Sequence, residues 1–331
     1  MVKYIVKRLL LSVFIMVGVS LIIYLLLRLM PMDYVDQQIA SLSGSQKFTP
    51  EDVQKMKEAY GLGDNSFAGI LGGYFQWLGN FLKGDMGMSF VHGEDVGKLI
   101  VDKMGISFGI SFVSLIFELI IAVPLGIKCA VNQYGKLDYT ATVICMTLMA
   151  FPAFFLGNLF IKWFAEGLGW FPVSGLTGNL LANHTKWDEI VDMLWHLVIP
   201  MLVLVILNVG SYMRYQRTNT LEILNADYIR TARAKGLSEG KVIYKHVFRN
   251  TMIPLVTVMA STLPMLFGGA MITETVFGIE GIGKITYDAL IRGDIPLAMG
   301  YNMFIAILTV VGILLSDIMY AVVDPRVKLG K

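Results

Sequence analysis

Two cysteines and four histidines in 331 residues leave little room for a disulfide scaffold or a metal centre. Cys129 and Cys145 lie in or beside apolar runs, with no third thiol at ligand spacing, and His92, His184, His196 and His246 are scattered. Neither a disulfide nor a metal site is therefore expected in the chain. Charge is also scarce. Only 16% of residues are charged while 55% are hydrophobic, which excludes an ordinary soluble domain and points to a polytopic membrane protein. A net charge of +2 gives no reason to expect a nucleic-acid partner. A complete phosphate loop is missing too: Gly278, Gly283 and Lys284 fit the G-x-x-x-x-G-K-[ST] pattern, but Ile285 stands where a magnesium-binding hydroxyl belongs and Thr286 comes one residue late.

What the chain has in abundance is long apolar runs. A bilayer-spanning helix needs about 20 apolar residues, and six stretches qualify: Ile5 to Arg28, Ile106 to Val131, Tyr139 to Phe164, Met193 to Tyr212, Thr251 to Val276 and Ala298 to Val323. The first reads as an uncleaved anchor within residues 1–30, because no small-x-small cleavage site follows it. Lys3, Lys7 and Arg8 precede it, and Arg326, Lys328 and Lys331 close a tail at 324–331, so both termini are expected in the cytoplasm. The loop between the fourth and fifth stretches carries Arg214, Arg217, Arg230, Arg233, Lys235, Lys241, Lys245 and Arg249 and falls on the same side. The near-match to a phosphate loop then faces outward, away from ATP. It also follows a membrane helix rather than a strand, so the chain itself is not expected to hydrolyse ATP.

Residues 31–105 form an extracytoplasmic segment too long for a plain turn, with short helices of its own. Thr49-Pro50-Glu51-Asp52 predicts a helix start, Val53, Met56 and Tyr60 share one face, and Gly61 ends it. From Tyr74 to Leu78 the segment is apolar enough to lie against the membrane. It reads as a packed cap over the spans. Residues 106–323 form the membrane core, with an inner loop at 213–250 whose sequence predicts helix, glycine elbow, helix. Asp227 is placed to cap the first helix through Lys235, Gly236 to supply the left-handed turn, and Ser238 to cap the second helix. Ala226, Ala232 and Ala234 beside Arg230 and Arg233 describe a helix that fits a groove while its guanidinium groups pair with a partner's carboxylates. The plainer alternative is a basic loop that only touches lipid head groups.

At this loop the sequence resembles the membrane subunits of bacterial ABC importers, specifically the dipeptide, oligopeptide and nickel permease family. The resemblance rests on Asp227-Tyr228-Ile229-Arg230-Thr231-Ala232-Arg233-Ala234-Lys235-Gly236-Leu237-Ser238-Glu239, with His246, Arg249-Asn250 and Pro254 after it. Tyr60-Gly61-Leu62, Gly84-Asp85-Met86-Gly87 with Ser89, Glu274-Thr275-Val276-Phe277 with Gly281-Ile282-Gly283, Asp294-Ile295-Pro296 and Asp324-Pro325-Arg326 extend it along most of the chain. Arg230-Thr231-Ala232 replaces the Glu-Ala-Ala of the broader importer consensus, and Glu280 stands where the family commonly has proline.

The resemblance implies an all-α permease of the type I importer kind that pairs with a second, similar permease. Its other implied partners are two cytoplasmic ATPases, which bind the ATP and magnesium, and an extracytoplasmic binding protein. In that arrangement Asp227, Tyr228, Arg230, Thr231, Ala232, Arg233, Ala234, Lys235, Gly236 and Leu237 dock on an ATPase. Glu274, Phe277, Gly281 and Gly283 lie in the outer loop near the binding protein.

Three carboxylates stand in the spans. Glu274 and Asp317 are expected near the interfaces, within reach of water or a basic partner, whereas Glu118 is mid-span and reads either as an interhelical hydrogen bond or as part of a pathway. Pro124, Pro152, Pro200, Pro254 and Pro264 predict kinks. The expected function is import of short peptides. The alternatives are nickel or a nickel chelate, an opine or an oligosaccharide as cargo of the same machinery, an ion-coupled secondary transporter, or a scaffold that moves nothing.

Overall fold

The computed structural model describes residues 2–42, 48–178 and 185–323; the tail at 324–331 and His184 lie outside them. From the N-terminus come α1 (Val2–Arg28), α2 (Tyr34–Leu42), α3 (Pro50–Ala59) and α4 (Phe67–Phe81). Next are α5 (Val96–Val131), α6 (Lys136–Met149), α7 (Ala153–Phe160) and, after a wider turn at Ile161–Gly167, α8 (Lys186–Leu224). The inner loop holds α9 (Asp227–Ala234), α10 (Glu239–Lys241) and a second wide turn at Val242–Val247. The chain closes with α11 (Phe248–Ser261), α12 (Leu263–Gly268), α13 (Met271–Val276), α14 (Ile282–Arg292) and α15 (Ile295–Val323). Among the described residues the only β pairing is an isolated bridge between Met88 and Asp95.

Helices α1, α5, α8 and α15 each hold a run long and apolar enough to cross a bilayer, and α6 with α7 adds a fifth if that pair counts as one. Two expected spans are therefore not simple rods. The stretch from Tyr139 to Phe164 bends by 95° between α6 and α7. Pro152 stands at the bend; its ring excludes helical backbone at Phe151, and it has no N–H to continue the ladder. The stretch from Thr251 to Val276 is cut into α11, α12 and α13, with Pro264 at the start of α12 and Gly269 beyond its end at φ +75°. Pro124, Pro200 and Pro254 lie inside continuous helices.

Two other spans outrun their apolar cores. Helix α5 starts at Val96, inside the segment read as a cap, because the Asp95 side chain accepts the Lys98 N–H at 2.8 Å. Helix α8 starts at a capping box, in which Thr185 and Asp188 satisfy each other's backbone N–H, and runs for 39 residues. At 1.5 Å per residue that is roughly 58 Å, enough to cross the bilayer and carry on into the inner loop.

The centre of the fold is the packing of α5 on α8. Gly126 permits it: a Cβ there would stand 2.6 Å from the Met213 carbonyl oxygen. Deeper toward the inner side, Gln216 of α8 donates to the Thr251 hydroxyl of α11 at 2.8 Å, and Arg217 donates through two nitrogens to both carboxylate oxygens of Asp138, each at 2.7 Å. These bonds fasten the inner end of α8 to its neighbours on both sides. Asp317, expected to find a basic partner, pairs with Arg8 and so ties α15 to α1.

The described part of the segment at 31–105 packs against α1 and α15. Thr49 caps α3 as expected and, with Asp52, closes a capping box that was not foreseen; Pro50 is at the first helical turn and Gly61 has φ +69°. Tyr60 and Phe90 meet edge to face, and Tyr74 bonds Ser20 of α1 at 2.9 Å. Val35, Leu62, Ile70 and Tyr74 share a core with Tyr24 and Leu27 of α1 and with Ile295 and Met299 of α15. Asp294, fully buried, accepts from the Ser89 hydroxyl at 2.5 Å and from the Val91 N–H at 3.0 Å, which is how the Gly84–Ser89 and Asp294–Pro296 motifs meet.

Candidate functional site

At the inner end of α8 the chain turns into the predicted elbow. Helix α9 begins one residue earlier than its expected cap allows: Ala226 holds the extended N-cap backbone without a side-chain bond, and Asp227 is the first helical residue. Its charge still complements the positive helix end. Gly236 takes the left-handed backbone at φ +75°, and a Cβ there would meet nothing within 4 Å. Ser238 occupies the next N-cap position, again without a side-chain bond.

The elbow has its own small core. Ile229 (0% exposed) and Ala232 (7%) pack against Val242 and Val247, with Ile223 and Leu224 alongside. Val242 and Val247 are five residues apart, a spacing that an α-helix would splay; the wider i→i+5 winding of this turn keeps both on the buried face. Ala232, expected on the docking face, therefore belongs to the inner one. Asp227, Tyr228, Arg230, Thr231, Arg233, Ala234, Lys235, Gly236 and Leu237 remain exposed.

The two arginines divide their work. Arg233 donates through Nε and Nη2 to both carboxylate oxygens of Glu239, at 3.1 and 2.6 Å, so it staples the two arms of the elbow and does not offer a free guanidinium. Through that hydrogen bond Arg233 holds the Glu239 carboxyl below its ordinary value of 4.5. A depressed folded value means that the pair contributes fully above that ordinary value and fades only as pH falls through the lowered one, so the staple is closed at neutral pH. Arg230 reaches Asp227 only at 3.8 Å with both side chains largely exposed, leaving its charge available to a partner.

The glycine-rich stretch after α13 has an unexpected occupant. Glu274 is 1% exposed, so it does not reach water as expected. Its Oε1 accepts the Ala270 N–H at 3.1 Å and its Oε2 the Lys284 N–H at 3.0 Å, while the Gly283 N–H and the Ser107 hydroxyl complete the cradle. Ser107 in turn accepts the Ile282 N–H at 2.8 Å. The glycines are needed for the fit: a Cβ on Gly281 would lie 2.5 Å from Oε2, and one on Gly283 would lie 2.8 Å from the Met271 backbone. The near-phosphate loop thus cradles an internal carboxylate at the positive end of α14. Phe277, Gly281 and Gly283 are buried along with Glu274, while Glu280 is exposed and pairs with Lys103 at 3.1 Å.

Glu118 is buried midway along its span and accepts the Asn208 Nδ2–H at 3.1 Å, the interhelical bond that one of its two readings required. It also lines a cavity of about 130 Å3 between α5, α8 and the break after α12. Sequence reasoning did not foresee Asp138, Ser107, Asn208 or Thr251 as members of these networks. Each meets its partner from at least 35 residues away, and none stands in a local pattern.

Several apolar crossings, a long helix that ends in an exposed basic elbow, and a carboxylate-locked outer loop together define a multi-pass membrane transport subunit. The chain belongs to the family of binding-protein-dependent transport system inner membrane components, which matches residues 122–329, and the N-terminal part of the same group of components matches residues 1–111. It is 35% identical over 329 residues to the oligopeptide transport system permease protein AppB of Bacillus subtilis (strain 168), covering 99% of this chain and 100% of that one. A putative peptide permease protein of Brucella suis biovar 1 is 34% identical over 330 residues, with coverage of 99% and 100%. The peptidoglycan transport system permease protein YejB of Agrobacterium fabrum is 31% identical over 295 residues, covering 88% of this chain and 80% of its own. As a member of this family the chain is a multi-pass subunit of the cytoplasmic membrane.

Proposed function

We propose that the chain carries short peptides into the cytoplasm as one permease subunit of an importer whose ATP is hydrolysed by separate subunits. The observation that carries this reading is the elbow: an exposed face with Tyr228, Arg230 and Ala234, held on a glycine turn at the end of a helix that runs the depth of the membrane. Full-length likeness to peptide permeases supports the cargo.

Six crossings with both termini inside fit the clustering of arginine and lysine on the inner loop, provided α6 with α7, and α11 to α13, each count as one broken span. The partners are a second permease, two ATPases that hold ATP and magnesium, and an extracytoplasmic binding protein. This chain then performs no chemistry of its own. Its role is mechanical: the closed and open ATPases bind the exposed face of α9 with different affinity, and that difference rocks α8 together with the helices fastened to it at Asp138 and Thr251.

The test is uptake of radiolabelled trialanine into proteoliposomes holding both permeases, the ATPases and the binding protein. ATP-dependent accumulation that vanishes without the ATPases is the expected result. Uptake that persists without them and follows an ion gradient would make the chain a secondary transporter. Uptake of nickel or an oligosaccharide with none of trialanine would keep the machine and overturn the cargo.

A further inference from the structure

The cavity beside Glu118 is built to hold something. Ser111, Ser114 and Glu118 face it from α5, Asn208 and Tyr212 from α8, and Gly269 from the break between α12 and α13. The Ser114 hydroxyl is buried and has no hydrogen-bond partner among the described residues. Glu118 Oε1 is bonded by Asn208, and Oε2 accepts no hydrogen bond among the described residues. Nor does any lysine, arginine or histidine among them pair with this carboxylate.

A carboxylate held in the apolar depth of a membrane demands a positive partner or neutralisation. The spare acceptor positions of Glu118 and Ser114 converge on a space of about 130 Å3, several times the roughly 30 Å3 of one water. That volume takes an ammonium group with the first carbon atoms behind it. Leu115, Leu204 and Met265 supply apolar walls for those carbons.

Resting on the peptide reading above, we propose that this cavity is a way station for the amino-terminal ammonium of the peptide during passage. Glu118 supplies the charge, Ser114 a second acceptor, and Asn208 holds the carboxylate in place from the facing helix.

The experiment is equilibrium binding of radiolabelled trialanine and of N-acetyl-trialanine to the purified complex of permeases and ATPases, without the binding protein. Glu118→Gln keeps the shape and can still accept from Asn208, so a purely structural role predicts no change. The proposal predicts trialanine binding about tenfold weaker or worse, since a charge-assisted bond is lost, with most of it retained in Glu118→Asp. Ser114→Ala removes a hydroxyl that bonds no described residue and should weaken trialanine by about threefold, a smaller loss expected for a neutral acceptor. N-acetyl-trialanine should be indifferent to all three changes. If Glu118→Gln binds trialanine as the unaltered complex does, including the case in which neither binds, the proposal is wrong. If both peptides weaken together, Glu118 serves the fold or a neighbouring subunit and the proposal is equally overturned. ATP-driven trialanine uptake alongside either result would leave the peptide reading standing, so the two failures are separable.

Discussion

Replacing Glu274 with alanine should cost the chain more stability than any other single outer-loop change. The substitution strands the N–H groups of Ala270, Gly283 and Lys284 and the Ser107 hydroxyl in a buried site. Each stranded buried donor costs about 1–3 kcal/mol, so a total of at least about 3 kcal/mol is expected, against the 5–15 kcal/mol that typically holds a fold together. Thermal unfolding in detergent should fall sharply, and less chain should accumulate in the membrane. Glu280→Ala is the control. Six residues away, it loses only an exposed pair with Lys103 and should stay within about 1 kcal/mol of the native chain. Equal melting of the two variants would mean that the cradle does not hold the outer loop. Glu274→Gln should fall between them, because its amide keeps one acceptor oxygen but turns an N–H group toward other donors.

The second large effect concerns transport rather than stability. Gly236→Pro cannot adopt φ +75° and also removes the N–H that bonds the Arg233 carbonyl at 2.9 Å, so the elbow must re-form elsewhere. Nothing packs within 4 Å of that position, so the membrane core should stay intact while ATP-driven uptake drops by at least about tenfold. The Arg233–Glu239 staple refines the test. Arg233→Glu alone sets two carboxylates against each other and should lower uptake by about fivefold, the scale of an exposed pair. Arg233→Glu combined with Glu239→Arg restores an opposite pair and should recover most of the loss. Failure to recover would return Arg233 to the docking surface, where the sequence alone had placed it.

How far the sequence could be read follows from the range of each interaction. The helix start at Thr49, the turns at Gly61 and Gly236 and the helix–elbow–helix of the inner loop rest on contacts between near neighbours, and they were legible. Apolar runs located the spans, but hydropathy does not register the break that Pro152 makes or the one at Gly269, because both sides of each break remain apolar. The staple escaped reading since Arg233 and Glu239 become partners only after Gly236 folds the arms together. Longer-range pairs left no trace at all. Ser107 finds the Glu274 cradle from within α5, and Asp138 of α6 finds Arg217 of α8. The glycines of the near-phosphate loop were visible, but they matched only an incomplete phosphate site; nothing in the local pattern revealed that they fold around the carboxylate of Glu274.

If the exposed face of α9 meets a cytoplasmic ATPase, site-directed cross-linking will capture the contact. Arg230→Cys places a thiol on the exposed face and Ala232→Cys places one against Ile229 and Val242, on the same helix two residues apart. In the assembled complex, a short bifunctional thiol reagent should join Arg230→Cys to a cysteine introduced in the ATPase cleft, with a yield that changes when ATP is bound, while Ala232→Cys stays unlinked. Equal yields from both positions, or no link to the ATPase from Arg230→Cys in a complex that still transports, would mean that α9 does not dock there.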